Sequence, residues 1–181
     1  MVIDWVLMLL AVVIPLISAV IVLRGSANLS ERHHAHHDTY TVAATLLWGI
    51  VSAMLFMGAL GVLVGWLCSL GALTANTVVV MAFFDGFLVT LFASLILLRR
   101  YKIMTFENCM RVTPLIGRTV TIIYSDITAM EWSSSLLLPG THNIRVHAGN
   151  RNGALLWAAL DLDQILIRVN RFDSLESLRS K

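Results

Sequence analysis

TVVVMAFFDGFLVTLFASLILL occupies residues 77–98 and runs straight into Arg99, Arg100, Tyr101 and Lys102. These 22 residues hold a single ionisable side chain, Asp85, before the basic cluster stops them. An apolar run of this length reads as a helix that crosses a membrane. Almost everything before it is apolar, and the residues after it alternate apolar with polar. The stretch therefore reads as the last of three transmembrane helices and the stalk of a small β-rich domain.

Composition supports the division. Of 181 residues, 57% are hydrophobic and 13% charged, against about 45–50% and about 25% in soluble domains. Residues 1–98 carry six charged side chains and the remaining 83 carry eighteen. A net charge of +2 without a basic run interleaved with aromatics gives no case for nucleic acid. Cys68 and Cys109 fall in different halves, which suggests neither a disulfide framework nor a metal quartet.

Trp5–Leu23 is 19 residues without a charge, about 28 Å as a helix, against a hydrocarbon core of roughly 30 Å. A signal peptide would place basic residues ahead of the run, where this chain has Asp4, so a retained span is expected, kinked at Pro15. Arg24–Thr41 is the polar stretch of this half and contains His33, His34, His36 and His37. Val42–Leu70 is again uncharged. Its Gly61 and Gly65, extended back to Ala53 and Gly49, make a smooth stripe for close helix packing. Trp48 and Trp66 stand near its ends as interfacial anchors would. Spans are expected at about 5–23, 42–69 and 77–98 within a transmembrane domain of residues 1–100.

Orientation comes from the basic residues at the span ends. Arg24, Arg32, Arg99, Arg100 and Lys102 lie on one side, and the Ser69–Asn76 link on the other has no lysine or arginine. The positive-inside rule then puts the N-terminus outside, with the histidine loop and the C-terminal domain in the cytoplasm of a cell with an inner membrane.

From Lys102 onward short strands are expected at 102–106, 109–113, 119–124, 127–133, 143–147 and 154–160, with turns at Glu107-Asn108 and Asn152-Gly153. Asp161 with Gln164 reads as a capping box for a helix whose apolar stripe is Leu162, Ile165, Leu166, Val169 and Phe172. The expected fold class is membrane α plus all-β: three spans, then a small barrel or sandwich closed by a C-terminal helix.

Tyr101-Lys102-Ile103-Met104-Thr105, Gly117-Arg118, Ile123-Tyr124-Ser125-Asp126-Ile127 and the terminal helix resemble the bacterial pleckstrin-homology-like domain of small membrane proteins. The resemblance covers residues 101–173, leaving 174–181 as a tail. It implies a membrane-associated scaffold or interaction module without catalysis or cofactor. Its expected partners are the lipid bilayer, further copies of itself, or another membrane protein.

Four features are candidates for function. Asp85 lies near mid-membrane with no lysine or arginine in any span, and Ser52 on the second span is at comparable depth. The carboxyl is then either a relay or anchor in a small oligomeric transport component, or a group hydrogen-bonded to Ser52 or a backbone carbonyl. The histidines offer His33 and His37 at i, i+4 as metal ligands; equally, they make a polar connector beside an anionic surface. His142, His147 and Asp126 come with no nucleophile elbow, HExxH or phosphate loop, so no catalytic set is assigned. Lastly, an antiparallel meander would put the loops at 114–118 and 135–140 at the membrane end of the domain. Leu115, Ile116, Leu136, Leu137 and Leu138 would then touch the bilayer, unless the last three complete the fourth strand.

Overall fold

The structure is a computed structural model that describes residues 2–29, 38–134, 142–149, 153–157, 160 and 162–169. Outside the described residues lie His33, His34, His36, His37, Arg32, Leu136–Leu138, Asn152, Asp161 and the tail. The chain divides into two compact units, Met1–His33 with Ala44–Leu98, and His34–Ala43 with Arg99–Lys181.

The first unit is three helices, α1 (Val2–Leu29), α2 (Ala44–Ser69) and α3 (Thr77–Arg100). Each is long and apolar enough to cross a membrane. α2 ends in a Schellman motif. The Gly71 N–H donates to the Cys68 carbonyl at 3.0 Å and the Ala72 N–H to the Leu67 carbonyl at 3.1 Å. The positive φ of 74° this requires suits glycine. α3 begins at an Asn76 cap, whose side-chain oxygen accepts the Val78 N–H at 2.9 Å. The link between them is short because each helix carries its own stop signal.

All three helices meet in two clusters. Ala11, Met54, Met81 and Leu88 form one, and Val22, Val51 and Leu95 the other. Trp48 packs against the second cluster, whereas Trp66 is exposed. α1 continues unbroken through Pro15. Proline has no N–H, so the Ala11 carbonyl four residues earlier lacks its helical donor. α1 and α2 come close at this carbonyl: a Cβ on Gly58 would collide with it and crowd the Pro15 ring. Glycine leaves room for the α2 backbone to approach α1 at this point.

The second unit has seven strands in two antiparallel sheets and no closed barrel among the described residues, which corrects the barrel expectation. β1 (Asp38–Thr41), β2 (Lys102–Thr105), β3 (Cys109–Thr113) and β4 (Val120–Ile123) form one sheet in that order. β5 (Ile127–Ser134), β6 (His142–Ala148) and β7 (Ala154–Leu156) form the other, and α4 (Leu162–Val169) packs on β2. The expected last strand is shorter than 154–160, ending at Leu156.

β1 is the element that sequence patterning does not announce. It comes from the polar stretch between α1 and α2 and pairs with β2, Thr41 opposite Lys102 and Asp38 opposite Thr105. Tyr40 faces the same side as buried Ile103, and Thr39 and Thr41 face outward. Residues that read as a connector are thus the edge strand of the sheet.

The two sheets are tied by Tyr101, which is 3% exposed. Its hydroxyl donates to the Leu155 carbonyl at 3.0 Å and accepts the Trp157 N–H at 2.8 Å. Its ring meets Trp157 edge-on, 5.9 Å between centroids. One phenol thereby does for the end of β7 what a neighbouring strand would do. Burial pushes the Tyr101 hydroxyl up to about 12, although the Trp157 N–H pulls the other way.

Tyr101→Phe should cost about 1–3 kcal/mol, because a buried N–H and a carbonyl both lose their partner. Denaturation of the full chain in detergent measures the loss. The raised value also sets a pH dependence: the contribution is whole below about 10, the ordinary phenol value, and is lost as pH rises through about 12. That alkaline decline should be smaller in Tyr101→Phe than in the wild type.

Candidate functional site

Asp85 is the most costly polar feature of the helical unit. It lies on the buried stripe of α3 with Met81, Phe84, Leu88 and Leu95. The side chains one turn to either side, Met81 and Leu88, belong to the first apolar cluster. The residue is 6% exposed, and neither carboxyl oxygen has a hydrogen-bond partner among the described residues. Ser52 does not supply one: it is exposed on α2 and joined to Asp85 by no hydrogen bond. A helical period explains the failure, since Ser52 adjoins buried Val51 but points about 100° away from it. A buried ionisable group without a partner, in a helix fit to span a membrane, is a candidate for function on physical grounds.

The small residues of α2 are not equivalent. Gly61 lies against Phe84, whose Cβ and Cγ would stand 3.0 Å from an added Cβ. Gly65 lies against the Met81 thioether. Gly49 has nothing within 4 Å, and Ala53 is exposed. The expected stripe therefore packs against α3 at its Gly61–Gly65 end alone. Gly58, which the four-residue spacing passes over, lies against the Ala11 backbone carbonyl of α1. Its signal in the sequence is the three-residue offset from Gly61, the other same-face spacing of a helix.

A second site lies on the outward face of the four-stranded sheet. Lys102, Met104, Arg111, Thr113, Thr119 and Thr121 line a depression of about 350 Å³. Register puts Lys102 opposite Thr113, and Arg111 opposite both Met104 and Thr121. The Thr113 and Thr119 hydroxyl oxygens stand 3.3 Å apart. Arg100 is engaged separately: its guanidinium donates to the Gly117 carbonyl and holds the loop between β3 and β4. Sequence patterning puts Lys102 and Arg111 on the first two strands, and strand register sets them beside the threonines.

The remaining candidates are dispersed. Arg24 is exposed on α1 and Arg99 on α3. In the loop after β3, Leu115 is half-buried and Ile116 is exposed. His147 Nε2 is 3.5 Å from a Glu131 carboxyl oxygen, beyond a good hydrogen bond, with both side chains partly exposed. Such a pair contributes little. Asp126 accepts its neighbour Ser125's hydroxyl at 3.1 Å. Among the described residues no three of His, Cys, Asp and Glu are grouped to hold a metal ion. Cys68 and Cys109 are both free thiols.

Comparison of the chain with family models, with curated proteins and with solved structures finds no match. Chemistry and geometry must therefore carry the functional reading.

Two substitution series test the helical unit, with unfolding in detergent as the measurement. Gly58→Ala should destabilise it by about 1–3 kcal/mol, since a backbone carbonyl must move. Gly65→Ala should cost less, because a flexible thioether yields, and Gly49→Ala should be neutral. Asp85→Leu should raise stability by about 1 kcal/mol or more, because an unpartnered buried carboxyl is replaced by an apolar group. A fall in stability would show that the carboxyl is satisfied by a partner.

Proposed function

We propose that this chain is a three-span integral membrane protein whose second unit is a non-enzymatic interaction module of the pleckstrin-homology-like kind. It acts as a scaffold or subunit held at the membrane surface. The observation that carries the membrane reading is the outside of the helical unit. Trp5 is 72% exposed, Phe83 68% and Phe56 67%, among many exposed leucines, isoleucines and valines. A helical unit as apolar outside as inside needs lipid for its solvent.

The β1–β2 pairing supports a common side for the loop between the first two spans and the chain after the third. Strands in one ladder cannot lie on opposite sides of a bilayer. The basic residues Arg24, Arg99, Arg100 and Lys102 flank these same segments, which favours the cytoplasmic side of a cell membrane. Support for an interaction module lies in the architecture: two small sheets, an amphipathic helix and an exposed strand edge at β1 are means of contact.

Asp85 favours a second reading, a small oligomeric transport or ion-coupled component in which that carboxyl and the histidine loop handle an ion. Three helices make too thin a bundle for a pore, so this reading requires several copies. A strictly monomeric mass in detergent would exclude it.

Topology is tested by cysteine labelling in intact cells after Cys68 and Cys109 are replaced. An impermeant maleimide should modify Thr74→Cys and spare Glu107→Cys. Asp38→Cys should behave as Glu107→Cys does, because β1 and the β2–β3 turn belong to one sheet. Labelling of Glu107→Cys with sparing of Thr74→Cys would reverse the orientation.

A further inference from the structure

The apolar cluster around Asp85 is rich in sulfur. Met8 of α1, Met54 and Met57 of α2 and Met81 of α3 all pack in it. A free thiol, Cys68, is buried on the same stripe of α2 as Met54 and Gly65. Sulfur is concentrated further at the level of Gly65. A Cβ there would meet the Met81 sulfur and, at 3.4 Å, the Met8 ε-methyl. Thioethers from two helices thus end over one glycine, in space that a side chain would fill. Cys68 follows Gly65 by three residues on α2, and Asp85 follows Met81 by four on α3. A Cα–Cβ bond tilts toward the N-terminus of its helix, so the thiol leans back toward Gly65 and the carboxyl toward Met81. That carboxyl is 6% exposed, and neither of its oxygens has a partner among the described residues.

We propose that Met8, Cys68, Met81 and Asp85 form a site for one soft monovalent cation of the copper(I) type. Thioether and thiol sulfur are soft donors that select such an ion, whereas hard cations take shells of oxygen. α2 and α3 hold no acidic side chain besides Asp85, so oxygen donors are too few for a hard cation. Charge gives Asp85 its part. Thioethers are neutral, and a bare cation among apolar side chains is costly. One carboxylate a turn away, about 6 Å along α3, cancels that charge and leaves the loaded site neutral. A buried carboxyl without a partner is a pure expense in a helix core, but as the counter-charge of a soft cation it has a use. Met54 precedes Gly65 by eleven residues, about 16 Å along α2, too far to share the ion. The inference names the ion of the second reading above, on which its use in transport rests; binding is a property of the helical unit alone.

The test uses the full-length protein in detergent with carbon-13 in its methionine ε-methyls, titrated with silver(I) in chloride-free buffer and followed by NMR. Silver(I) is a soft monovalent probe that does not cycle its oxidation state. The Met8 and Met81 signals should shift together and saturate at one silver per chain. Met54 and Met57 in the same core, and Met104, Met110 and Met130 in the sheets, should stay in place. Silver taken by histidines elsewhere in the chain leaves these methyl signals unmoved. Asp85→Asn should weaken the silver affinity about tenfold or more, because the charge of the ion is then unbalanced at low dielectric. Met81→Leu, which conserves volume, should abolish the Met8 shift, and Cys68→Ser should weaken binding, whereas Met54→Leu should leave it intact. An excess of sodium should displace nothing. The inference is overturned by no saturable shift at Met8 and Met81, by equal shifts at all methionines, by wild-type affinity in Asp85→Asn, or by displacement with sodium. The mass measured in the same samples separates the two levels. A monomer that binds silver at Met8 and Met81 defeats transport and keeps the site, whereas an oligomer without those shifts defeats the site and keeps transport.

Discussion

Four residue pairs between β1 and β2 decide how this chain is closed. Asp38–Thr41 and Lys102–Thr105 are more than sixty residues apart in sequence and lie side by side in one ladder. Cross-strand pairs contribute about 0.2–1 kcal/mol each, so the ladder is modest in energy. Its effect is topological. It takes a segment between two long apolar helices and makes it part of the unit built after the third. The edge of β2 is thereby covered by the chain itself, one of the ways an exposed strand is kept from pairing elsewhere.

The helical unit is organised by a complementary defect. Pro15 leaves the Ala11 carbonyl without its donor, and Gly58 lets α2 approach that carbonyl. A proline that weakens one helix and a glycine that narrows another are each costly alone. Together they set a close α1–α2 crossing. The α2–α3 contact is different, since Phe84 and Met81 side chains fill the space over Gly61 and Gly65. One contact is backbone against backbone and the other side chain against glycine, which is why equivalent glycines differ in their tolerance of an added methyl.

Polar chemistry is held in two places with opposite logic. Asp85 sits in apolar surroundings with no described partner, where any charge is expensive. Lys102 and Arg111 sit on an outward face free of carboxylates, among hydroxyls that can donate. The first arrangement leaves a buried polar group without a described partner, and the second leaves two cations exposed. Tyr101 lies between α3 and β2 and joins the two sheets through Leu155 and Trp157. The residue between α3 and β2 therefore also fastens the end of β7.

How much of this was legible depends on the range of the forces involved. Residues 77–98 declare a long apolar helix, because hydropathy and length are local quantities. The strands at 102–105, 109–113 and 120–123 and the α4 stripe of Leu162, Ile165, Leu166 and Val169 are local in the same sense. β1 was hidden, since Asp38-Thr39-Tyr40-Thr41 has no apolar alternation and becomes a strand through its partner's free edge. Ser52 could be placed by depth but not by helical phase, so its pairing with Asp85 did not survive. Gly58 escaped a four-residue spacing because helix faces repeat at three as well. The Lys102–Arg111 depression needed antiparallel register, which a one-residue slip would have destroyed. Sequence alone determined the apolar helices and the strands that alternate locally, but not β1. Tertiary structure decided which faces meet, because contacts between distant residues depend on register and rotation that no local pattern encodes.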